Sequence, residues 1–347
     1  MTISKTITKW YQSHARSLPW RKTKDPYLIW ISEVVMQQTR VEQGMSYYLK
    51  FTEAFPNIKS LSHAPEDQVL KLWEGLGYYS RARNLMEAAK QLMEWHQGVF
   101  PDKYEEVIKL KGIGPYTAAA ITSFAFNQKY AVVDGNVFRV LSRYYGVEIP
   151  INTSKGQKYF SELAQEILDK ENPATHNQAM MEFGALHCKP ANPFCTECPL
   201  NNSCIAYSTN KVSELPKKEK KLVIKNKYLH FFYIEHDNYI LIEKRDSSGI
   251  WKGLYQLPLI ESAKNEQIEA ILLDQEFKDL INNQEYVLKS TLDMKHKLTH
   301  RNLYIRFYHI QCSNINNPSY LKVGEEELRV LAFPRPVNQF LKEMKEK

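Results

Sequence analysis

The chain is poor in cysteine, with five in 347 residues, and it has no long apolar run. Nothing in it approaches the roughly 20 consecutive apolar residues that span a bilayer, which excludes a helical membrane protein. A basic, apolar, small-residue leader is missing at the N-terminus. A cytoplasmic setting with reduced thiols is therefore expected, and a disulfide framework is not. Low-complexity tracts and internal repeats are absent as well. The length is too great for one ordinary core and predicts two or three domains. With 43% hydrophobic and 24% charged residues the chain is globular, and its formal net charge of +7 permits a nucleic-acid partner without establishing one.

The few cysteines are concentrated. Cys188, Cys195, Cys198 and Cys204 fall within 17 residues in the spacing C-x6-C-x2-C-x5-C, and only Cys312 lies elsewhere. Four thiolates on one short loop suit a compact metal site, and Pro190, Pro193 and Pro199 limit the entropy lost when such a loop wraps its metal. A structural zinc ion and a 4Fe–4S cluster both use four cysteines. Zinc sites more often pair two C-x2-C knuckles far apart in sequence, which favours the cluster.

Along the chain the texture changes once. Through residues 1–207 apolar residues recur at three- and four-residue steps, in Leu28–Met36, Val69–Tyr79, Tyr104–Leu110, Tyr116–Phe126 and Gln157–Leu168, predicting an all-α domain of many short helices. Residues 208–227 hold seven lysines against Glu214 and Glu219 and read as a solvated linker that can lie near phosphates. Residues 228–347 read as a separate α+β domain. Tyr228–Glu235, Tyr239–Lys244, Trp251–Leu257 and Leu303–Gln311 have strand character, and Ile268–Phe277 has helical spacing.

Three features carry chemistry. The segment 110–118, Leu-Lys-Gly-Ile-Gly-Pro-Tyr-Thr-Ala, places Gly112 and Gly114 before a predicted helix opened by Pro115. Glycines there free the backbone, and amides at the helix start can approach a phosphate closely; the same pattern also serves as a simple tight connection. About 20 residues on, Asp134 ends an apolar run and precedes another predicted helix, where it can be an N-cap, a catalytic anion or both. Glu33 stands inside the otherwise apolar Leu28–Met36. Burial there would raise its pKa as a general acid near neutrality requires, unless it forms a buried ion pair, for instance with Arg21.

Hairpin, aspartate and four-cysteine loop occur in the order found in the endonuclease III, helix-hairpin-helix superfamily of DNA glycosylases. Within it, Trp30–Val41 and Leu72–Leu85 resemble the signature segments of the adenine DNA glycosylases. The similarity covers nearly all of 1–207 and, more loosely, the tail. It implies an all-α helix-hairpin-helix glycosylase domain with an iron–sulfur loop at 188–204 carrying one 4Fe–4S cluster, followed by a Nudix-like domain that recognises 8-oxoguanine. The implied activity is excision of adenine mispaired with 8-oxoguanine or guanine in double-stranded DNA, in base excision repair. The implied setting is a monomer in the bacterial cytoplasm, at the nucleoid. Glu33 would protonate a ring nitrogen of adenine, and Asp134 would stabilise the oxocarbenium-like sugar.

The rival is a bifunctional glycosylase with lyase activity, which needs a hairpin lysine for a Schiff base. Tyr116 occupies the matching place, so hydrolysis without strand cleavage is expected. In the family this position and Asn136 help orient the catalytic aspartate. Gln37, Gln38 and Tyr78 match residues that intrude into the duplex when the target base is flipped out. Trp20, Arg21 and Glu182 resemble the rest of the adenine pocket.

In the tail, Gly253–Pro258 looks like the stretch before the metal-binding helix of Nudix hydrolases. Residues 259–277 lack the R-E-x-x-E-E carboxylate cluster, which excludes pyrophosphate hydrolysis. Leu298, Thr299 and His300 stand where the family often has Phe-Ser-His. They are expected to form a loop that reads the base opposite adenine, with leucine as wedge and the threonine hydroxyl in contact. A non-catalytic iron–sulfur DNA-binding protein would be expected to lack Glu33 or Asp134; both are present.

Overall fold

The computed structural model describes residues 2–219, 224–245 and 249–346. They fall into two units. Residues 2–63 and 84–219 form one, and residues 64–83 together with 224–346 form the other. The division in space thus differs from the one expected along the chain, since 64–83 groups with the C-terminal residues. Asp67 accepts hydrogen bonds from Lys244 Nζ at 2.7 Å and Tyr255 OH at 3.1 Å, and the Glu74 carboxylate accepts from the amide of Phe333 at 2.9 Å.

The N-terminal unit is helical, and its helices begin where local chemistry permits. Asp25 caps helix Pro26–Val35 by accepting from the Tyr27 amide, and eight of that helix's ten residues are buried. Helix Pro115–Phe126 starts with proline at its first position and ends on Asn127 in the left-handed region, φ 54°. Asp134 caps helix Gly135–Tyr145, accepting from the amides of Asn136 and Val137. One core gathers Ile3, Ile7, Val140, Phe160, Met180 and Phe183. The lysine-rich stretch is only partly a linker. The Lys217 carbonyl accepts from the Ile151 amide at 3.0 Å, and the Glu219 amide donates to Asn152 Oδ1 at 2.9 Å, so 208–219 is held against its unit. Residues 225–227 already belong to a strand, and 220–223 lie outside the described residues.

The C-terminal unit holds a seven-stranded mixed sheet: β1 Lys225–His236, β2 Tyr239–Lys244, β3 Tyr255–Gln256, β4 Leu259–Ser262, β5 Tyr286–Leu298, β6 Arg301–Cys312 and β7 Leu321–Val323. The path runs β3-β2-β1-β6-β5, with β4 pairing β1 and β7 pairing β2; β1 and β6 are parallel and every other pair is antiparallel. Strand alternation sends Phe231 and Phe307 to one face, under helix Arg335–Lys345. Phe232 and Tyr308 go to the other, against Phe277 and Leu280.

Two expected elements change. The helix foreseen over Ile268–Phe277 is broken into Ile268–Leu273 and Gln275–Leu280, because extended Asp274 (ψ 143°) caps the second by accepting from the Glu276 amide. Of Trp251–Leu257 only Tyr255 and Gln256 pair as strand; Trp251 and Gly253 take φ of 65° and 78°, which no strand tolerates.

Candidate active site

Glu33 projects from the buried helix Pro26–Val35 and is 8% exposed. Its Oε2 accepts a 2.6 Å hydrogen bond from the Tyr116 hydroxyl. Burial pushes its carboxyl up to about 7. The Tyr116 bond opposes this, the nearby Asp134 adds to it, and Arg21 works against it. Tyr116 thus holds the acid, and not the aspartate as the resemblance implies. Nor does Glu33 pair with Arg21, whose Nη2 lies 2.8 Å from Glu182.

Asp134 combines cap and site. Its Oδ1 accepts from the amides of Asn136 (2.9 Å) and Val137 (2.8 Å), while Oδ2 accepts from Asn136 Nδ2 at 2.7 Å. Burial raises its pKa, and these three donors together with Arg139 oppose the rise. Asn136, expected to help orient the aspartate, thus donates to it from both its amide and its side chain. Asn136 is in turn fixed by Arg139, whose Nη2 donates to Asn136 Oδ1 (2.9 Å) and to the Gly184 carbonyl (2.7 Å), and whose Nε donates to the Cys188 carbonyl (2.7 Å). Hydrogen bonds therefore run without a gap from the aspartate to the first cysteine of the loop.

Glu33, Asp134 and Glu182 line one cavity of about 710 Å³, with Trp20, Gln37 and Tyr116 among its other walls. That volume suits a small-molecule-sized group. Glu182, fully buried, accepts from the amide and guanidinium of Arg16 (2.7–2.9 Å) as well as from Arg21. Burial alone would raise its carboxyl, but the two arginines hold it at about 2. Glu182 is thus a charged wall opposite a neutralisable Glu33. Trp20 packs edge-on against Tyr48, with ring centroids 5.0 Å apart.

Of the candidates for entering a duplex, Gln37 donates from Nε2 to Thr117 Oγ1 at 3.5 Å. Gln38 and Tyr78 are exposed with φ of 58° and 47°, backbone strain of the kind that accumulates at functional sites. Gly112 needs to be glycine: its φ is 75°, and a Cβ there would stand 2.5 Å from Asn84 Cβ. Gly114 does not, because its φ of −97° suits any residue and a Cβ would meet nothing within 4 Å. Only openness at 114 is left for a close approach from outside.

In the C-terminal unit the segment expected to read the opposite base is tighter than a loop. Lys295–Leu298 is the end of β5, Leu298 pairs with Arg301, and Thr299 and His300 form the two-residue turn. Leu298 is no wedge: it packs against the core that contains Phe307. Thr299 and His300 are exposed.

The four loop cysteines line one small apolar cavity beside Arg143 and Phe194. Arg143 Nη1 lies 3.5 Å from Cys188 Sγ, the Leu200 amide faces Cys198, and the amides of Ala206 and Tyr207 face Cys204. These donors suit anionic sulfur. Among the described residues, no group of three or more His, Cys, Asp or Glu side chains is placed to hold a single metal ion. Lys189 places its Nζ over the Phe194 ring, 4.3 Å from the centroid.

Sequence reasoning missed Arg16, Arg139 and Arg143. The last two had a signal: with Asn136 they recur at three- and four-residue steps on the helix that Asp134 opens, and both are buried, which a guanidinium tolerates only when fully partnered.

Residues 31–170 match the HhH-GPD superfamily of base excision DNA repair proteins, and residues 230–343 match the NUDIX domain. The adenine DNA glycosylase of Buchnera aphidicola subsp. Baizongia pistaciae is 38% identical, over 99% of this chain and 97% of its own length. A thermostable thymine-DNA glycosylase is 30% identical with a TM-score of 0.56, covering 59% of this chain and 95% of that one. Endonuclease III, at 23% identity and a TM-score of 0.53 over 60% of this chain and 94% of its own, shares the fold. With a buried carboxylic acid, a capped aspartate and full-length similarity in one chain, the protein belongs to the adenine DNA glycosylases of the helix-hairpin-helix base excision repair superfamily.

Proposed function

We propose that the protein hydrolyses the N-glycosidic bond of adenine mispaired with 8-oxoguanine or guanine in duplex DNA and leaves the strand uncut. The observation that carries this reading is Glu33, held by Tyr116, facing the same cavity as Asp134. A flipped adenine is a poor leaving group as an anion. Glu33, still substantially protonated near pH 7, delivers a proton to a ring nitrogen, and Asp134 lowers the barrier to the developing sugar cation. Tyr116 has no amine with which to form an imine, which supports hydrolysis alone. Thr299 and His300 read the opposite base. Double-stranded DNA is the partner, met by a monomer at the bacterial nucleoid. A labelled duplex with adenine opposite 8-oxoguanine tests this: base loss with strand breaks only after alkali is expected, and breaks without alkali would overturn it.

The cofactor reading is a 4Fe–4S cluster on Cys188, Cys195, Cys198 and Cys204. Its support is the apolar cavity that all four line, and the amide and guanidinium donors aimed at the sulfurs. A four-iron cube spreads its ligands over four metals, so the thiols need not converge on one point as zinc requires. When bound, the cluster would supply a rigid closure for the loop that carries the Cys188 carbonyl. Protein purified without oxygen should be brown and contain about four irons per chain; stoichiometric zinc without iron would refute the assignment.

A further inference from the structure

Tyr78 and Thr299 stand 221 positions apart, yet their hydroxyl oxygens meet at 2.8 Å within the C-terminal unit. Neither partner hangs from a loose backbone. Gly75, Gly77 and Tyr78 all take positive φ, and the Gly77 carbonyl between them accepts from Trp73 Nε1 (3.2 Å) and Arg81 Nη2 (3.1 Å). Thr299 is one of the two turn residues between β5 and β6, and the carbonyl of the other, His300, accepts from the Lys225 amide at 3.1 Å. Two locked turns thus present one hydroxyl pair, with Tyr78 56% exposed.

A phenol is the more acidic hydroxyl and the better donor, and an aliphatic hydroxyl oxygen is the better acceptor. We propose that Tyr78 donates to Thr299 and so fixes the polarity with which Thr299 meets the base opposite adenine, making Tyr78 a positioning residue for base discrimination. This rests on the reading of Thr299 proposed above. With one lone pair taken by Tyr78, Thr299 keeps one proton and one lone pair to present. The edge of 8-oxoguanine carries N7–H, a donor, next to O8, an acceptor, and the two remaining functions of Thr299 answer both. Guanine has a bare N7 acceptor and a C8–H, so it uses only the proton and leaves the lone pair unmatched. Accepting from Tyr78 also polarises the Thr299 O–H and stops it from rotating.

The test uses the full-length protein and duplexes that carry a non-hydrolysable 2′-fluoro-adenosine opposite 8-oxoguanine or guanine. The quantity read is the ratio of the two affinities. Tyr78→Phe keeps the exposed ring and removes only the hydroxyl, and Thr299→Val keeps the shape. Each is expected to reduce the ratio by about three- to tenfold, as for one lost hydrogen bond. The double variant should fall no further than Thr299→Val alone, and Thr299→Ser should retain the preference. A merely structural loss would lower both affinities together and leave the ratio unmoved. If Thr299→Val lowers the ratio while Tyr78→Phe leaves it intact, the base reading stands and the pairing is refuted. An additive double variant also refutes it, since Tyr78 would then act independently of Thr299. An unchanged ratio in Thr299→Val removes both the reading and the inference.

Discussion

Under the proposed mechanism, burial of Glu33 beneath Tyr116 ties turnover and stability to the same proton. Because its carboxyl is raised to about 7 from 4.5, the folded protein holds this proton more tightly than the unfolded chain does. The stability it lends is complete below pH 4.5, declines between pH 4.5 and 7, and is gone above, a difference of about 3 kcal/mol. Glu33→Gln has no proton to lose, so at pH 8 it should melt at higher temperature than the parent, with the gap closing toward pH 4.5. Its single-turnover rate should nevertheless fall by about 10² or more, and the parent's rate should decline as pH rises through about 7. Asp134→Asn separates the two roles differently. Asparagine caps a helix as well as aspartate does, so thermal stability should change by less than about 1 kcal/mol while the rate drops by about 10² or more. Unfolding of Asp134→Asn at room temperature would assign the carboxylate a structural role alone.

The hairpin allows a paired prediction about an element. Gly112→Ala must place a methyl against Asn84 at positive φ and is expected to cost about 1–3 kcal/mol of stability by denaturant titration. Gly114→Ala meets nothing within 4 Å, so stability should stay within about 0.5 kcal/mol, while DNA affinity falls because the methyl occupies the approach to the helix amides. Equal DNA affinity in Gly114→Ala would show that phosphate does not approach there. How legible each element was in sequence follows from what dictates it. Helices such as Pro115–Phe126 announce themselves because burial imposes a period and glycine and proline mark the start. Strand β5 went unseen because, as a sheet edge, it is crowded with exposed polar residues such as Lys289, Ser290, Thr291 and Asp293, which mask the alternation that turns Leu292, Met294 and Leu298 toward the core. The break at Asp274 was hidden by apolar residues of helical spacing on both sides, although the carboxylate that makes it was in plain view. In the site, Glu33 and Asp134 stood out as charges in apolar runs. The partner of Glu33 did not, because Tyr116 lies 83 positions away and only the fold brings it within 2.6 Å.

At the scale of the molecule, the C-terminal unit is built from two separate stretches of chain. Residues 224–347 expressed alone would leave Lys244 and Tyr255 without the Asp67 carboxylate and the Phe333 amide without Glu74. Such a fragment is expected to unfold at lower temperature than the same residues in the full chain. Asp67→Ala in the full chain should reproduce part of that loss, about 1–3 kcal/mol. A fragment as stable as the parent would show that 64–83 is dispensable to the unit. The same division sets an order of events on the ribosome. Asp67, Glu74 and Tyr78 leave the exit tunnel early, and roughly 140 residues separate Arg83 from the first residue of β1. At about 5–20 residues per second, their partners Lys244, Phe333 and Thr299 arrive about 9 to 52 seconds later. Throughout that interval the nascent chain already contains Glu33 and soon Asp134, but Tyr78 has no threonine to meet. On the reading proposed above, a chain that terminates early would therefore carry the groups for cutting the base without those for choosing it.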